Sequence, residues 1–341
     1  MKRIKVTYEI VTPMFLGGAN QKLAELRLPS IKGALRSWYR VFMPAFNHSV
    51  GDEKGVTHEE ALFGGARSGA GQSRFLMRMT GKKPVTENYR HEVFDSDKLK
   101  YFTFFLKDRS NIPPGQTFSL EVILRTAKDE DESKYWKAIV SCLWLLGHAG
   151  GMGARKNRGF GALALREWET NSQALEYMND LPIAYQATTI EEWIEQFGLG
   201  IKVISQWFPG SKLLDRATIY YYAERVFPDW KSALATGAEL IKTFRKNNQE
   251  DRMAFGMPLK LPKVTYKLKD YDRMASPILL SVVLLRNRYV PIFFLCSADF
   301  PPVVEEEGDV ERDYPISIPK VISHFGQFLS MKEFKEAKWG E

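Results

Sequence analysis

Ile4-Lys5-Val6-Thr7-Tyr8-Glu9-Ile10 alternates apolar and polar residues, and the chain then runs through Thr12-Pro13 and Gly17-Gly18 to Ser30-Ile31-Lys32-Gly33-Ala34-Leu35-Arg36. The first stretch has the two-residue period of a strand with one buried face. The second opens a helix: Ser30 offers an N-cap, and Ile31, Leu35, Trp38 and Phe42 share one face of a segment reaching about Phe46. Strand-like runs follow at 73–80, 101–107 and 117–125, then a buried helix over Tyr135 to Leu146, a glycine-rich loop, and a strand from about Phe160 to Trp168. The order βαβ(β)βαβ contains the split βαβ of a ferredoxin-like domain.

The second half reads less sharply. Helical patterns cover 189–197 and 215–227, Ile201 to Trp207 has a strand pattern, and Lys231 to Asn247 is helical. Strands at 278–285 and 289–296 and a helix near 320–332 complete a βαββα order. The expected fold is therefore α+β, with two ferredoxin-like (RRM-like) domains packed together over residues 1–170 and 171–341, the second more degenerate. No residue-level repeat links the halves.

A chain of 341 residues with 44% hydrophobic side chains is long enough for two such cores, which excludes a disordered or disulfide-stapled scaffold. Cys142 and Cys296 sit in apolar runs without CxxC spacing and read as core thiols of a reducing compartment. Thr7 and Glu9 interrupt any apolar signal segment after Lys2-Arg3. The longest apolar stretch, Ile278 to Leu285, is far short of the ~18 residues that cross a bilayer. A soluble, cytoplasmic protein with no membrane partner is expected.

Charge is distributed unevenly. Residues 1–170 hold 27 Lys and Arg against 18 Asp and Glu, whereas 171–341 hold 21 against 23. All the excess positive charge is in the first half, as for a surface facing a polyanion or one kept for solubility. On the first helix Lys32, Arg36 and Arg40 recur every four residues with no acidic residue at that spacing, a phosphate-facing stripe or a solvated face. Phe63-Gly64-Gly65-Ala66-Arg67, with Arg74 beyond, adds a second glycine site.

Gly147-His148-Ala149-Gly150-Gly151-Met152-Gly153-Ala154-Arg155-Lys156-Asn157-Arg158-Gly159-Phe160-Gly161 combines glycines, whose N–H groups can approach anions, with three cations. It is neither a Walker A loop nor GxGxxG. Arg158-Gly159-Phe160-Gly161 matches the start of the RRM octapeptide, which puts a stacking aromatic on a central strand. The alternative is a connection that needs glycine only for tight packing. Glu305-Glu306-Glu307, Asp309, Glu311 and Asp313 read as an acidic loop, solvated or docking a basic neighbour.

No catalytic constellation is visible. His48, His58, His91, His148 and His324 show no metal-ligand spacing, and no GxSxG elbow occurs. No metal or cofactor is expected. His148 is the one candidate general base, with a helix-end histidine as the alternative.

Thr12-Pro13-Met14-Phe15-Leu16-Gly17-Gly18, Leu28-Pro29-Ser30-Ile31-Lys32-Gly33-Ala34-Leu35-Arg36, Leu62-Phe63-Gly64-Gly65 and the glycine-rich loop together resemble the RAMP superfamily of CRISPR proteins. Arg273-Met274-Ala275-Ser276-Pro277-Ile278 narrows the resemblance to the first RAMP subunit of the type III-B Cmr effector complex. The family often has two adjacent Trp after its GALR segment; here the pair is Trp38-Tyr39. The resemblance implies a non-catalytic subunit that captures single-stranded target RNA near the 3′ end of the guide crRNA and docks on other RAMP subunits. Candidate RNA contacts are then Lys32, Arg36, Arg40, Arg67, Arg74, Gly151, Gly153, Arg155, Lys156, Arg158 and Phe160. The alternatives are a metal-independent guide-RNA processing endoribonuclease using His148, and a scaffold that never touches RNA.

Overall fold

β1 (Arg3–Ile10) buries Ile4, Val6, Tyr8 and Ile10 completely and turns Lys5, Thr7 and Glu9 to the other face, as its alternation dictates. The computed structural model describes residues 2–50, 55–67, 69–125, 132–211, 219–261, 264–296, 303–307, 310–314 and 316–337. After β1 come α1 (Leu28–Phe42), α2 (His58–Phe63), β2 (Phe75–Thr80), α3 (His91–Phe94), α4 (Lys100–Thr103), β3 (Thr117–Leu124), α5 (Ser133–His148) and β4 (Leu163–Thr170). The four strands pair antiparallel in the order β2-β3-β1-β4. The helix α1 begins at Leu28 rather than at a Ser30 cap, because Pro29 lacks the N–H that a first turn does not need.

The second half contains α6 (Ala174–Asn179), α7 (Ile190–Trp207), β5 (Ile219–Ala223), α8 (Trp230–Asn247), β6 (Leu259–Lys260), β7 (Thr265–Leu268), β8 (Ile278–Leu285), β9 (Arg288–Leu295), β10 (Val303–Glu307), β11 (Val310–Tyr314), α9 (Ile318–Ser330) and β12 (Phe334–Ala337). Its main sheet runs β12-β5-β9-β8, antiparallel throughout. Counted within each sheet in chain order, both sheets place the fourth strand beside the first, then the third, then the second. The fold is thus α+β, with a third small sheet in the order β11-β10-β7-β6.

Four expectations need correction. Residues 101–107 are not a strand: Phe102 and Leu106 recur four residues apart on a buried face, so α4 continues into a 3-10 turn over Phe104–Leu106. Residues 201–207 belong to α7, whose buried Ile190, Trp193, Phe197, Ile201 and Ile204 follow a helical spacing. Gly200 disguises that helix. It is glycine because α7 crosses directly over Trp144, whose ring leaves no room for a Cβ. The segment 215–227 is not helical where described, since 219–223 is β5, and the residues before it lie outside the described ones. The acidic run is a hairpin rather than a loop: Glu305 to Glu307 are on β10, and Glu311 and Asp313 on β11, with Asp309 outside the described residues.

One contiguous core spans both halves. α5 lies at its centre, with every residue from Ala138 to His148 buried, and packs on α1, β4, α6 and α7. Cys142, within it, and Cys296 are both free. Across the seam the chain is tied by Arg158, which is 9% exposed. Its guanidinium donates to the carbonyls of Ile278 (3.3 Å) and Phe255, and the Leu280 N–H donates to the Asn157 carbonyl (3.2 Å). Arg158→Ala removes the guanidinium from the Phe255 carbonyl, while the Ile278 carbonyl keeps the Ser276 hydroxyl at 2.9 Å; an unpaired buried acceptor costs about 1–3 kcal/mol. Urea unfolding is expected to register a loss of about 1–3 kcal/mol, with a smaller loss for Arg158→Lys; equal stability of all three proteins would refute the tie.

Candidate nucleic-acid interface

The stripe on α1 faces α2, not open solvent. Arg40 makes a two-pronged ion pair with Glu59, one arm at 2.8 Å, and Arg36 lies 3.4 Å from the same carboxylate while donating to the Gly64 carbonyl at 2.6 Å. The absence of an acidic partner along α1 is therefore made good from α2. Thr57 caps that helix in a capping box with Glu60, which fixes where Glu59 stands. Lys32 lies over the Phe75 ring at 5.5 Å, and burial, then the charge of Arg36, hold its ammonium below the usual lysine range. Arg67 reaches Glu60 at 3.4 Å, and Arg74 sits half-buried over the Tyr135 ring at 5.8 Å.

The open face of the first sheet is equally committed. Glu121, nearly buried, is held between Arg3 (2.9 Å) and Arg78, Lys5 pairs with Glu169 at 3.2 Å, and the Thr7 and Ser119 hydroxyls meet at 3.0 Å. The two arginines keep the Glu121 carboxyl below its ordinary pKa, with the Arg78 hydrogen bond the larger cause. An aromatic ring meets this face at its edge, where the Tyr185 hydroxyl donates to Glu9 at 2.7 Å and Arg166 lies over the ring at 5.1 Å. Phe160 corrects the octapeptide reading: it precedes β4, is fully buried, and packs its ring edge-on to Phe15 at 5.7 Å. A base has no access to it.

The glycine-rich loop is shaped by close approach. Gly153 has φ 90°, and a Cβ there would lie 2.5 Å from the Phe15 carbonyl oxygen. The Ala154 N–H donates to that carbonyl (2.7 Å), and the Thr12 hydroxyl donates to the Gly159 carbonyl (2.7 Å) while accepting from the Ala162 N–H (2.9 Å). Arg155 adopts φ 64°, so the loop turns sharply there and sends its neighbours different ways. The Arg155 guanidinium lies over the Phe105 ring at 5.2 Å, Lys156 is exposed, and Arg158 points into the seam. Burial lowers the pKa of Arg158 to about 10, with Arg245 adding to the effect, and among the described residues no carboxylate pairs with it.

Lys156 stands between two hollows. The larger, about 410 Å³, is a mostly apolar cleft between α1 (Trp38, Arg40), the loop (Gly151, Asn157) and the second sheet (Tyr220, Ser281, Phe294). The smaller, about 200 Å³, continues along α1 past Ser37, Gly33 and Ser30 to Gly151 and Gly153. Nothing lies within 4 Å of where a Cβ on Gly33 would be. The groove thus joins a cation, small-residue flooring and the half-buried Trp38 ring, the components that hold a single nucleic-acid strand, while Tyr220 and Phe294 are buried behind it. Arg40, Gly151, Gly153 and Lys156 meet here; Lys32, Arg36, Arg67 and Arg74 do not. Tyr220, Ser281 and Phe294 are supplied by strands far along the chain, and no local pattern announces them.

His148 is 5% exposed and stacked on Trp144 at 4.2 Å. Its Nδ1 hydrogen-bonds the Trp144 carbonyl (2.8 Å), and its Nε2 accepts the Ala184 N–H (3.2 Å), so the neutral ring is fully used. Among the described residues no group of three His, Cys, Asp or Glu side chains could hold a metal ion, and no helix is long and apolar enough to cross a membrane.

Residues 7–164 match the RAMP superfamily. The CRISPR system Cmr subunit Cmr1-1 of Pyrococcus furiosus is 25% identical, over 93% of this chain and 91% of its own. The apo crystal structure of Cmr1 from Pyrococcus furiosus aligns with a TM-score of 0.62 at 21% identity, covering 100% of this chain and 99% of that one. A chain of the type III-B Cmr-β complex bound to cognate target RNA aligns with a TM-score of 0.62 at 12% identity, covering 97% and 99%.

Burial depresses the His148 pKa from 6.5 to about 4. The unfolded chain then binds a proton that the folded chain refuses, so stability falls as pH drops from 6.5 toward 4, by up to about 3 kcal/mol. Unfolding free energies measured across that window are expected to show this slope, and His148→Gln to flatten it; an unchanged slope in the variant would exclude the assignment.

Proposed function

We propose that this chain, whose residues 7–164 form a RAMP superfamily domain and whose full length is similar to Cmr1, is a non-catalytic single-stranded RNA-binding subunit of a type III-B Cmr effector complex. In this reading it works in the cytoplasm, docks on other RAMP subunits, and helps capture target RNA near the 3′ end of the guide crRNA. The observation that carries it is the groove along α1, where exposed Lys156 separates the small-residue channel from the aromatic cleft. An RNA strand laid there has its phosphates on Lys156 and the glycine loop and its bases against Trp38.

The repeated strand orders support reading both halves as ferredoxin-like (RRM-like) units, divided near residue 170. RNA would then be held at the seam between them, not on the first sheet's open face. The endoribonuclease alternative needs a base with a free lone pair, and both His148 nitrogens are occupied.

Purified protein mixed with end-labelled single-stranded RNA is expected to retain it intact, with or without EDTA, and to release it as salt rises. Lys156→Glu should weaken binding about tenfold and lower the salt slope by about 0.7 for each phosphate no longer neutralised. Unchanged affinity and slope would remove Lys156 from the interface. Discrete cleavage products would overturn the non-catalytic assignment.

A further inference from the structure

On the other side of the Arg155 turn, the structure brings together groups that the groove does not use. Phe104 and Phe105 are the only exposed phenylalanines among the described residues, at 60% and 69%. They stand edge to face at 5.2 Å on the 3-10 turn that follows α4. Arg155 lies over Phe105 at 5.2 Å, and Arg245 of α8 hydrogen-bonds the Tyr101 hydroxyl while lying 5.8 Å from that ring. Among the described residues neither arginine makes an ion pair. Arg252 approaches from behind and donates to the Arg245 carbonyl at 3.4 Å. Burial lowers the pKa of both Arg155 and Arg245, and neighbouring arginines add to it.

Resting on the RNA-binding reading, we propose that Phe104 and Phe105 form a base-stacking subsite for single-stranded RNA, with Arg155 and Arg245 holding the adjoining phosphates. A solvated pair of phenylalanine rings has no role in the core: Phe102 and Leu106 of the same segment fill that position. Guanidiniums without an ion pair beside exposed rings, one of them already covered on one side by Arg155, match the two parts of a nucleotide, anion and π-surface, at once. A protein partner would also use arginines beside exposed rings, and the Phe104→Ala/Phe105→Ala double variant would then bind RNA like wild type. Arg155 and Lys156 are consecutive, so a strand leaving the groove at Lys156 passes over the loop to reach this platform.

The full-length protein separates the contributions. Binding of a short fluorescein-labelled single-stranded RNA is compared with that of an abasic oligonucleotide carrying the same phosphates. The exposed double variant Phe104→Ala/Phe105→Ala is expected to weaken RNA binding about tenfold and leave the abasic chain unaffected. Phe105→Trp should restore a stacking surface and keep the wild-type affinity. Arg155→Gln should weaken both ligands. If the double variant binds RNA like wild type while Lys156→Glu still loses affinity, the subsite is refuted and the groove stands. An equal loss of both ligands in the double variant would also refute stacking. A wild-type protein that binds neither ligand would overturn the RNA-binding reading itself.

Discussion

A buried guanidinium without a carboxylate organises this molecule. Arg158 leaves the glycine-rich loop of the first half and ends on two main-chain carbonyls of the second, Phe255 and Ile278. A lysine could not span both, and an acid in place of either carbonyl would not be fixed by the backbone. Because its acceptors are main-chain atoms, Arg158 sets the position of the β8 entrance relative to the loop. Leu280 then adds its own main-chain bond to Asn157. The cleft of about 410 Å³ has walls from both halves, so its width is a consequence of this tie.

The same loop has to face two ways. Gly153 lets it press against the Phe15 backbone, and the left-handed turn at Arg155 then divides its cations among three directions. Arg158 goes inward, Lys156 toward α1, and Arg155 over Phe105. A regular strand would alternate such neighbours between two faces only. Six glycines in fifteen residues are thus a requirement of packing here. They are at the same time the reason that charged side chains so close in sequence serve different surfaces.

Much of this is legible in the chain itself. β1 and α8 follow clean periods, α5, β8 and β9 are continuous apolar runs, and the boundaries of all five fall within two residues or so of the sequence reading. What misleads is local chemistry set by distant atoms. Gly200 breaks the pattern of α7 because Trp144 lies against it, and Arg36 and Arg40 lack an acid on their own helix because Glu59 comes from α2. The second half has the expected order of element types but through a different strand: β5 rather than residues 201–207 pairs with β9, and β12 completes the sheet. Phe160 looks like a stacking aromatic because its motif is local, whereas its burial depends on Phe15 and Phe94.

Net charge points to the basic half but not to the place within it. Several of its cations are paired locally: Glu59 takes Arg36 and Arg40, Glu60 takes Arg67, and Glu121 takes Arg3 and Arg78. These pairs are half-solvated, and an anionic strand would have to displace a carboxylate to use them. Among the described residues Arg155 and Lys156 on the loop and Arg245 opposite make no ion pair, and under the proposed reading these are the cations that meet the strand. Arg155 and Arg245 repel each other and are partly desolvated, which is a standing cost to the unliganded fold. An incoming polyanion relieves that repulsion, so its binding is favoured by the difference between the empty and occupied site. The location of an interface is therefore better read from unpaired charge than from total charge.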